Sequence, residues 1–235
     1  MSENTSTFLI FLVTLWAKWL LMQEITRDLT EYRIGLRDKI LETAMAAFEK
    51  KGVKAVKMDD IATALSISKR TLYEIYDDKE ALLYEGISKR DRLRHDQIQS
   101  YASKGHNVME ILKEAYRVNS NASRNICPAF YEDIHRYPKI EQYMQKVRVQ
   151  KCAEILDFMH LGVEQGFFRS DINYNIFLIL CDSVTDAIIN NNLLSTYTMD
   201  ELYYNFFLVP LRGVCTEKGL QLVAETWKKP CTRSL

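Results

Sequence analysis

From Ile34 onward the chain places apolar residues at helical spacing. Ile40, Leu41, Ala44, Ala47 and Phe48 share one face at a 3.6-residue period, and Gly52 stands where a C′ residue closes a helix. The pattern predicts a short second helix over Asp59–Leu65 and a third over about Lys69–Tyr76. A fourth opens near Asp77 or Asp78 and runs to Ser103. Past the break at Lys104–Gly105, helices are predicted near Val108–Asn125, Ala129–Arg136, Lys139–Gln165, Tyr174–Leu194 and Met199–Lys218. Pro128, Pro138, Gly166 and the stretch Ser195–Thr198 punctuate them. No internal repeat or low-complexity tract stands out.

Composition agrees with an all-α chain. Only 8 Gly and 4 Pro interrupt 235 residues that are 47% hydrophobic, enough for a small domain joined to a larger one. Charge narrows little, because Lys plus Arg and Asp plus Glu number 31 each. Over Arg33–Arg94, 14 basic residues face 11 acidic ones, so any affinity for nucleic acid must rest on particular cations.

Cys127, Cys152, Cys181, Cys215 and Cys231 form no CxxC pair or disulfide framework, which suggests reduced thiols in a cytoplasmic protein. His95, His106, His135 and His160 show no metal-ligand spacing. Neither a nucleophile elbow, a phosphate loop nor a useful carboxylate pair is present, so no enzyme, metal or cofactor is expected.

The most apolar run is Phe8–Met22. It spans about fifteen residues against the roughly twenty of a membrane-crossing helix, and Lys18 interrupts it. The MSENTST ahead of it lacks the basic residues of a signal peptide. Three readings stand: a membrane anchor giving a tethered regulator, a packing or partner helix, or sequence upstream of a start at Met22. Residues 1–32 are therefore assigned as this apolar segment plus a polar arm.

Residues Asp59–Tyr76, DDIATALSISKRTLYEIY, carry the chemistry. Two short helices crossing steeply need a small residue at closest approach, filled by Ala62, and a tight turn after it, filled by Ser66. Ile61, Leu65, Ile67, Leu72 and Ile75 lock the pair at helix-turn-helix spacing. Ser68, Lys69, Arg70 and Tyr73 then point outward at the N-terminal end of the second helix, the end that enters a major groove. Arg70 can donate twice to guanine O6/N7, and Lys69 can serve a base or a phosphate. Ser68, Thr71 and Tyr73 offer hydroxyls to phosphate oxygens, with Ser68 also placed as an N-cap and Tyr73 as a packing residue.

ILETAMAAFEKKG followed by MDDIATALSISKRTLYEIYDDKEALL resembles the N-terminal domain of the TetR/AcrR family of transcriptional regulators. Ile40–Gly52, Asp60-Ile61-Ala62 and Thr71-Leu72-Tyr73 carry the match, with Tyr76 at the usual Phe position and Lys79-Glu80 opening the fourth helix. EQGFFRSDIN (Glu164–Asn173) and LRGVCTEKG (Leu211–Gly219) resemble phrases near the last helices of such proteins, so the likeness covers roughly residues 34–220.

The resemblance implies a helix-turn-helix DNA-binding domain over residues 33–80, with an N-terminal three-helix fold. A helical effector-binding and dimerisation domain over 81–225 and a tail over 226–235 complete the chain. It further implies a homodimeric, ligand-responsive repressor that holds a palindromic double-stranded DNA operator and is released by a small molecule. Tyr73 and Lys79 should contact phosphates, Lys79 from a helix N-terminus. Two departures stand out: Ser66 replaces the turn glycine, and Lys57 replaces the Thr cap, from where it can reach a phosphate instead.

In the C-terminal half, the two stretches Tyr174–Leu194 and Met199–Lys218 are apolar on more than one face, as expected where a partner subunit covers one side. Tyr116, Asn119, Cys127, Phe130, Tyr131, His135, Tyr143, Met159 and Cys181 lie on helices that can line an effector pocket, and each also suits ordinary core. Cys127, Tyr131 and His135 share a face only if Pro128 starts its helix.

Overall fold

A computed structural model describes residues 31–191, 193–198, 201–202 and 204–227, nearly all of them helical. The first helix, α1, occupies residues 31–51. It is followed by α2 (Met58–Ala64), α3 (Lys69–Ile75), α4 (Lys79–Ala102), α5 (Val108–Ser123), α6 (Pro128–Ile134), α7 (Pro138–Glu164) and α8 (Tyr174–Asn190). A 3-10 turn at Leu193–Ser195 and a π-helical turn at Tyr204–Leu208 lead into α9 (Val209–Val214), and α10 (Glu217–Thr226) comes last.

Local chemistry sets most of these ends. Asp78 caps α4 by accepting from the Ala81 N–H at 2.6 Å, and Asn107 caps α5 while Glu110 reaches back to the Asn107 N–H at 2.9 Å. Pro128 and Pro138 stand in the first turns of α6 and α7, where a missing N–H costs nothing. Pro128 therefore starts its helix. Gly52 closes α1 with φ +85°, and a Cβ there would lie 3.0 Å from both Ala129 Cβ and Asp133 Oδ2.

Two apolar cores result. The first joins Ile40, Ala44 and Phe48 of α1 to Ile61 and Ala62 of α2, Leu72 of α3, and Leu82 and Leu83 of α4. Phe130 and Ile134 of α6 and Ile140 of α7 close it from the C-terminal side. Each large side chain buried here contributes about 1.5–3 kcal/mol. The second gathers Val108, Met109, Met159, Phe167, Phe168, Tyr174, Leu211 and Trp227.

The 24-residue α4 serves both: its first turns pack on the helix-turn-helix, and α5 and α7 lie along its length. The expected border between residues 80 and 81 thus falls inside a continuous helix, and the head is joined to the body by a rod.

The helix expected over Met199–Lys218 ends instead at Val214. Cys215 is extended and pairs with Phe168 in an antiparallel bridge. Arg169 N–H donates to the Val214 carbonyl and Thr216 N–H to the Phe167 carbonyl, both at 2.9 Å. These bonds draw residues 214–216 off the helical path, and Thr216 becomes the cap of α10. The expected tail from residue 226 also starts too early, since Trp227 is buried edge-on against Tyr116 at 6.1 Å. The apolar run Phe8–Met22 lies outside the described residues. No described helix is long and apolar enough to cross a membrane.

Candidate nucleic-acid interface

The turn between α2 and α3 is built on one strained residue. Ser66 has φ +54°, the one non-glycine in the left-handed region among the described residues. The conformation lets Ile67 N–H reach back to the Ala62 carbonyl at 3.0 Å, which folds α3 across α2. Ala62 is buried at the crossing, and Ile61 and Leu72 are buried beside it.

This packing fixes what α3 offers outward. Ser68 is its N-cap: Oγ accepts from the Thr71 N–H at 3.0 Å and meets Thr71 Oγ1 at 2.8 Å. Of the two hydroxyl protons, only one is used between them, so one O–H remains to donate to a phosphate. The Arg70 side chain is 89% exposed and pairs only with Glu74, one turn on, at 2.9 Å. Lys69 Nζ lies 2.5 Å from Asp59 Oδ2, and this hydrogen bond raises the ammonium pKa. Exposed pairs of this kind hold by only about 0.2–1 kcal/mol, so a phosphate or a base edge can displace either carboxylate. Tyr73 is exposed one turn further along the same helix.

The two flanking lysines differ. Lys57 is exposed at the N-terminus of α2, and an ammonium cannot accept a hydrogen bond, so the cap comes from the other direction. Asp60 Oδ2 takes the Lys57 N–H at 2.8 Å. Lys79, expected at a phosphate, is half-buried and donates to the Val53 carbonyl at 2.9 Å. Burial pushes its pKa down, opposed by Asp133 and Asp60. It is an anchor between α4 and the loop after α1 in this state.

Asp133 lies at the same joint. It is the one buried charged side chain among the described residues, and its Oδ2 accepts from the Lys54 N–H at 2.7 Å. Alongside it, Cys127 N–H donates to the Glu49 carbonyl at 2.8 Å. Helix α6 is thus bonded to the end of α1. The signal was present: Asp133 lies three residues after Phe130 and next to Ile134, an acid among the buried apolar residues of α6.

A cavity of about 740 Å³ opens between α4, α5, α7, α8 and the 202–211 segment. Asn119, Met159 and Cys181 of the expected pocket set line it. Cys127, Phe130, Tyr131 and His135 do not; they pack at or beside the N-terminal core, and His135 Nδ1 meets Glu141 at 3.1 Å. Tyr116 belongs to the second core. Tyr143 lines a separate cavity of about 710 Å³ with Arg37 and Tyr76, and mainly burial raises its phenol pKa to about 12. The cavity therefore lies deeper along α4 than the α6 region.

A crossed helix pair with an exposed, cation-bearing second helix, mounted on a hollow helical body, defines a helix-turn-helix transcriptional regulator. Residues 40–85 match the family model of bacterial regulatory proteins of the tetR family. It is 23% identical over 195 residues to the HTH-type transcriptional repressor KstR2 of Rhodococcus jostii, covering 80% of this chain and 96% of that one. Over 52 residues, 22% of this chain and 28% of the relative, it is 35% identical to the biofilm operon icaADBC negative regulator IcaR of Staphylococcus epidermidis. The fold is similar to that of a TetR-family regulator from Marinobacter aquaeolei, with a TM-score of 0.62 at 20% identity, covering 81% of this chain and 96% of that one.

Proposed function

We propose that the chain is a ligand-responsive repressor acting as a homodimer on a palindromic operator. The observation that carries this reading is the position of α4. Its N-terminal turns hold the reading head in place, and its residues Asp91 to Ala102 wall the 740 Å³ cavity. A ligand that changes the spacing of α4 and α7 therefore changes the angle of α3. Arg70 reads a base edge in this account, Lys69 serves a base or a phosphate, Lys57 reaches a phosphate, and Ser68, Thr71 and Tyr73 hold phosphates. Lys79 contributes through its anchor to Val53 and through the helix N-terminus it occupies.

Dimerisation is supported by the outer face of α8, where Ile176, Ile179 and Leu180 are each more than half exposed at helical spacing. A second copy would bury this stripe under a twofold axis, and a twofold dimer asks for paired half-sites. Light scattering of the full chain at micromolar concentration tests the assembly: a mass of twice 27.5 kDa is expected. Replacing Ile176 and Ile179 with Glu should return it to monomer and abolish operator binding. A double variant that remains dimeric would move the interface elsewhere.

A further inference from the structure

The large cavity carries four charged side chains in its lining, two of each sign: Asp91 and Glu154 against Arg94 and Lys151. All four stand on α4 and α7. Asp91 gathers its neighbours, taking Lys151 Nζ at 3.1 and 3.3 Å and the Tyr143 hydroxyl at 3.2 Å, with Arg94 Nη2 3.7 Å from Oδ1. The charges sum to zero, so neither sign is left over for a ligand to meet. Asp91, Arg94 and Lys151 also keep only about a third of their side-chain surface, or less, in water. An ionic head group entering this end loses hydration and finds no net opposite charge, which costs it affinity.

The rest of the lining favours uncharged matter. Phe158, Met159, Phe177, Val184, Phe207 and Leu211 make an apolar wall, and Gln99 and Asn119 add amides. Asn119 Nδ2 donates to the Ala115 carbonyl at 2.8 Å, so its Oδ1 can accept from a ligand hydroxyl. A volume of about 740 Å³ suits an organic molecule of drug size.

We infer that the effector is an uncharged, mainly apolar molecule of that size, with a hydroxyl or carbonyl as its polar group. This rests on the cavity being the effector site. The balanced cluster on α4 and α7 then acts in selection: it admits a neutral ligand and disfavours ions of both signs.

Displacement of the neutral fluorophore N-phenyl-1-naphthylamine from the full-length protein tests the inference. The competitors are dodecan-1-ol, dodecanoate and dodecylamine, each below its aggregation concentration, at pH 8, where an ordinary imidazole is uncharged. The alcohol should compete about tenfold more tightly than either ion. Any apolar surface would give that order, so the charge variants decide. Asp91→Asn leaves two cations against one carboxylate and should strengthen dodecanoate about tenfold. Lys151→Gln does the reverse and should strengthen dodecylamine to a similar degree; neither should move dodecan-1-ol. Where Asp91→Asn folds poorly, Lys151→Gln carries the test alone. A wild type that prefers either ion, or an ion affinity unmoved by its variant, would overturn the neutral assignment and leave the cavity standing. Cys181→Trp fills the cavity and should abolish fluorophore binding. Undiminished binding in that variant, or no saturable binding in the wild type, would instead overturn the cavity as the effector site.

Discussion

Arg37 of α1 holds Glu85 of α4 through two hydrogen bonds, 3.0 Å from Nε and 2.5 Å from Nη2. The same guanidinium lies 5.0 Å from the ring centre of Tyr76, the residue that ends α3. One side chain therefore ties together the first helix, the end of α3 and the rod that leads to the body. The Glu85 carboxyl is held below its ordinary range, first by the Arg37 hydrogen bond.

The sign of the pH dependence follows. A carboxyl with a depressed pKa in the folded state adds stability that is complete above its ordinary value of about 4.3 and fades as pH falls through the folded value. The pair is partly exposed, with side-chain exposures of 50% and 28%, so Glu85→Gln should cost only about 0.5–1 kcal/mol at pH 7. In urea denaturation the gap between wild type and variant should close between pH 5 and pH 3. A gap that stays constant over that range would mean that Glu85 stabilises by packing and not by charge.

Ser66 offers a change in the opposite direction. A non-glycine residue at φ +54° bears a steric cost of about 1–2 kcal/mol, partly offset by the greater freedom that glycine has when unfolded. Ser66→Gly should raise stability by about 0.5–1 kcal/mol and leave DNA affinity unchanged, because the Ser66 side chain is exposed and glycine keeps the same turn. A melting temperature that falls would show that the turn does not need the left-handed conformation.

Two helical glycines separate packing from helix propensity. A Cβ on Gly162 would lie 2.0 Å from Phe168 Cδ2, and one on Gly86 would lie 2.2 Å from Met45 Sδ. The Phe168 ring is fully buried and rigid, whereas a methionine can choose another rotamer. Gly162→Ala should therefore cost about 1–3 kcal/mol and Gly86→Ala distinctly less, each against a gain of about 1 kcal/mol in helix propensity. Equal losses in thermal denaturation would contradict the difference in compliance.

Asp133 predicts a coupling effect. Removing a buried carboxylate that accepts a backbone N–H should cost about 1.5–3 kcal/mol, so Asp133→Ala should destabilise the α1–α6 joint. Hydrogen exchange at the Lys54 amide should rise more than at the amides of α8. Uniform acceleration would mean that the joint is no local contact at all.

The helices were legible in the sequence because local signals agree. Caps at Ser68, Asp78 and Asn107, the prolines at 128 and 138, and apolar spacing along α1 and α5 all point to the same ends. The exposed face of α3 was legible for the same reason, since Leu72 and Ile75 fix its rotation. What escaped depends on contacts distant in sequence. The helix break at Cys215 comes from bonding to Phe167–Arg169, about 47 residues away, and the burial of Trp227 needs Tyr116. Lys79 points inward because Val53 presents a carbonyl, which no spacing rule reveals. The pocket residues were the least legible, since a lining residue and a core residue share one chemistry.

Selection of bound DNA from a random-sequence pool, run side by side with wild type and Arg70→Ala, bears most directly on the reading of α3. The wild-type chain should enrich a twofold-symmetric site, and Arg70→Ala should enrich the same site with one position in each half relaxed. Enrichment of no symmetric site, or identical sites for both proteins, would show that α3 does not read DNA through the face that Ser68, Lys69, Arg70 and Tyr73 present.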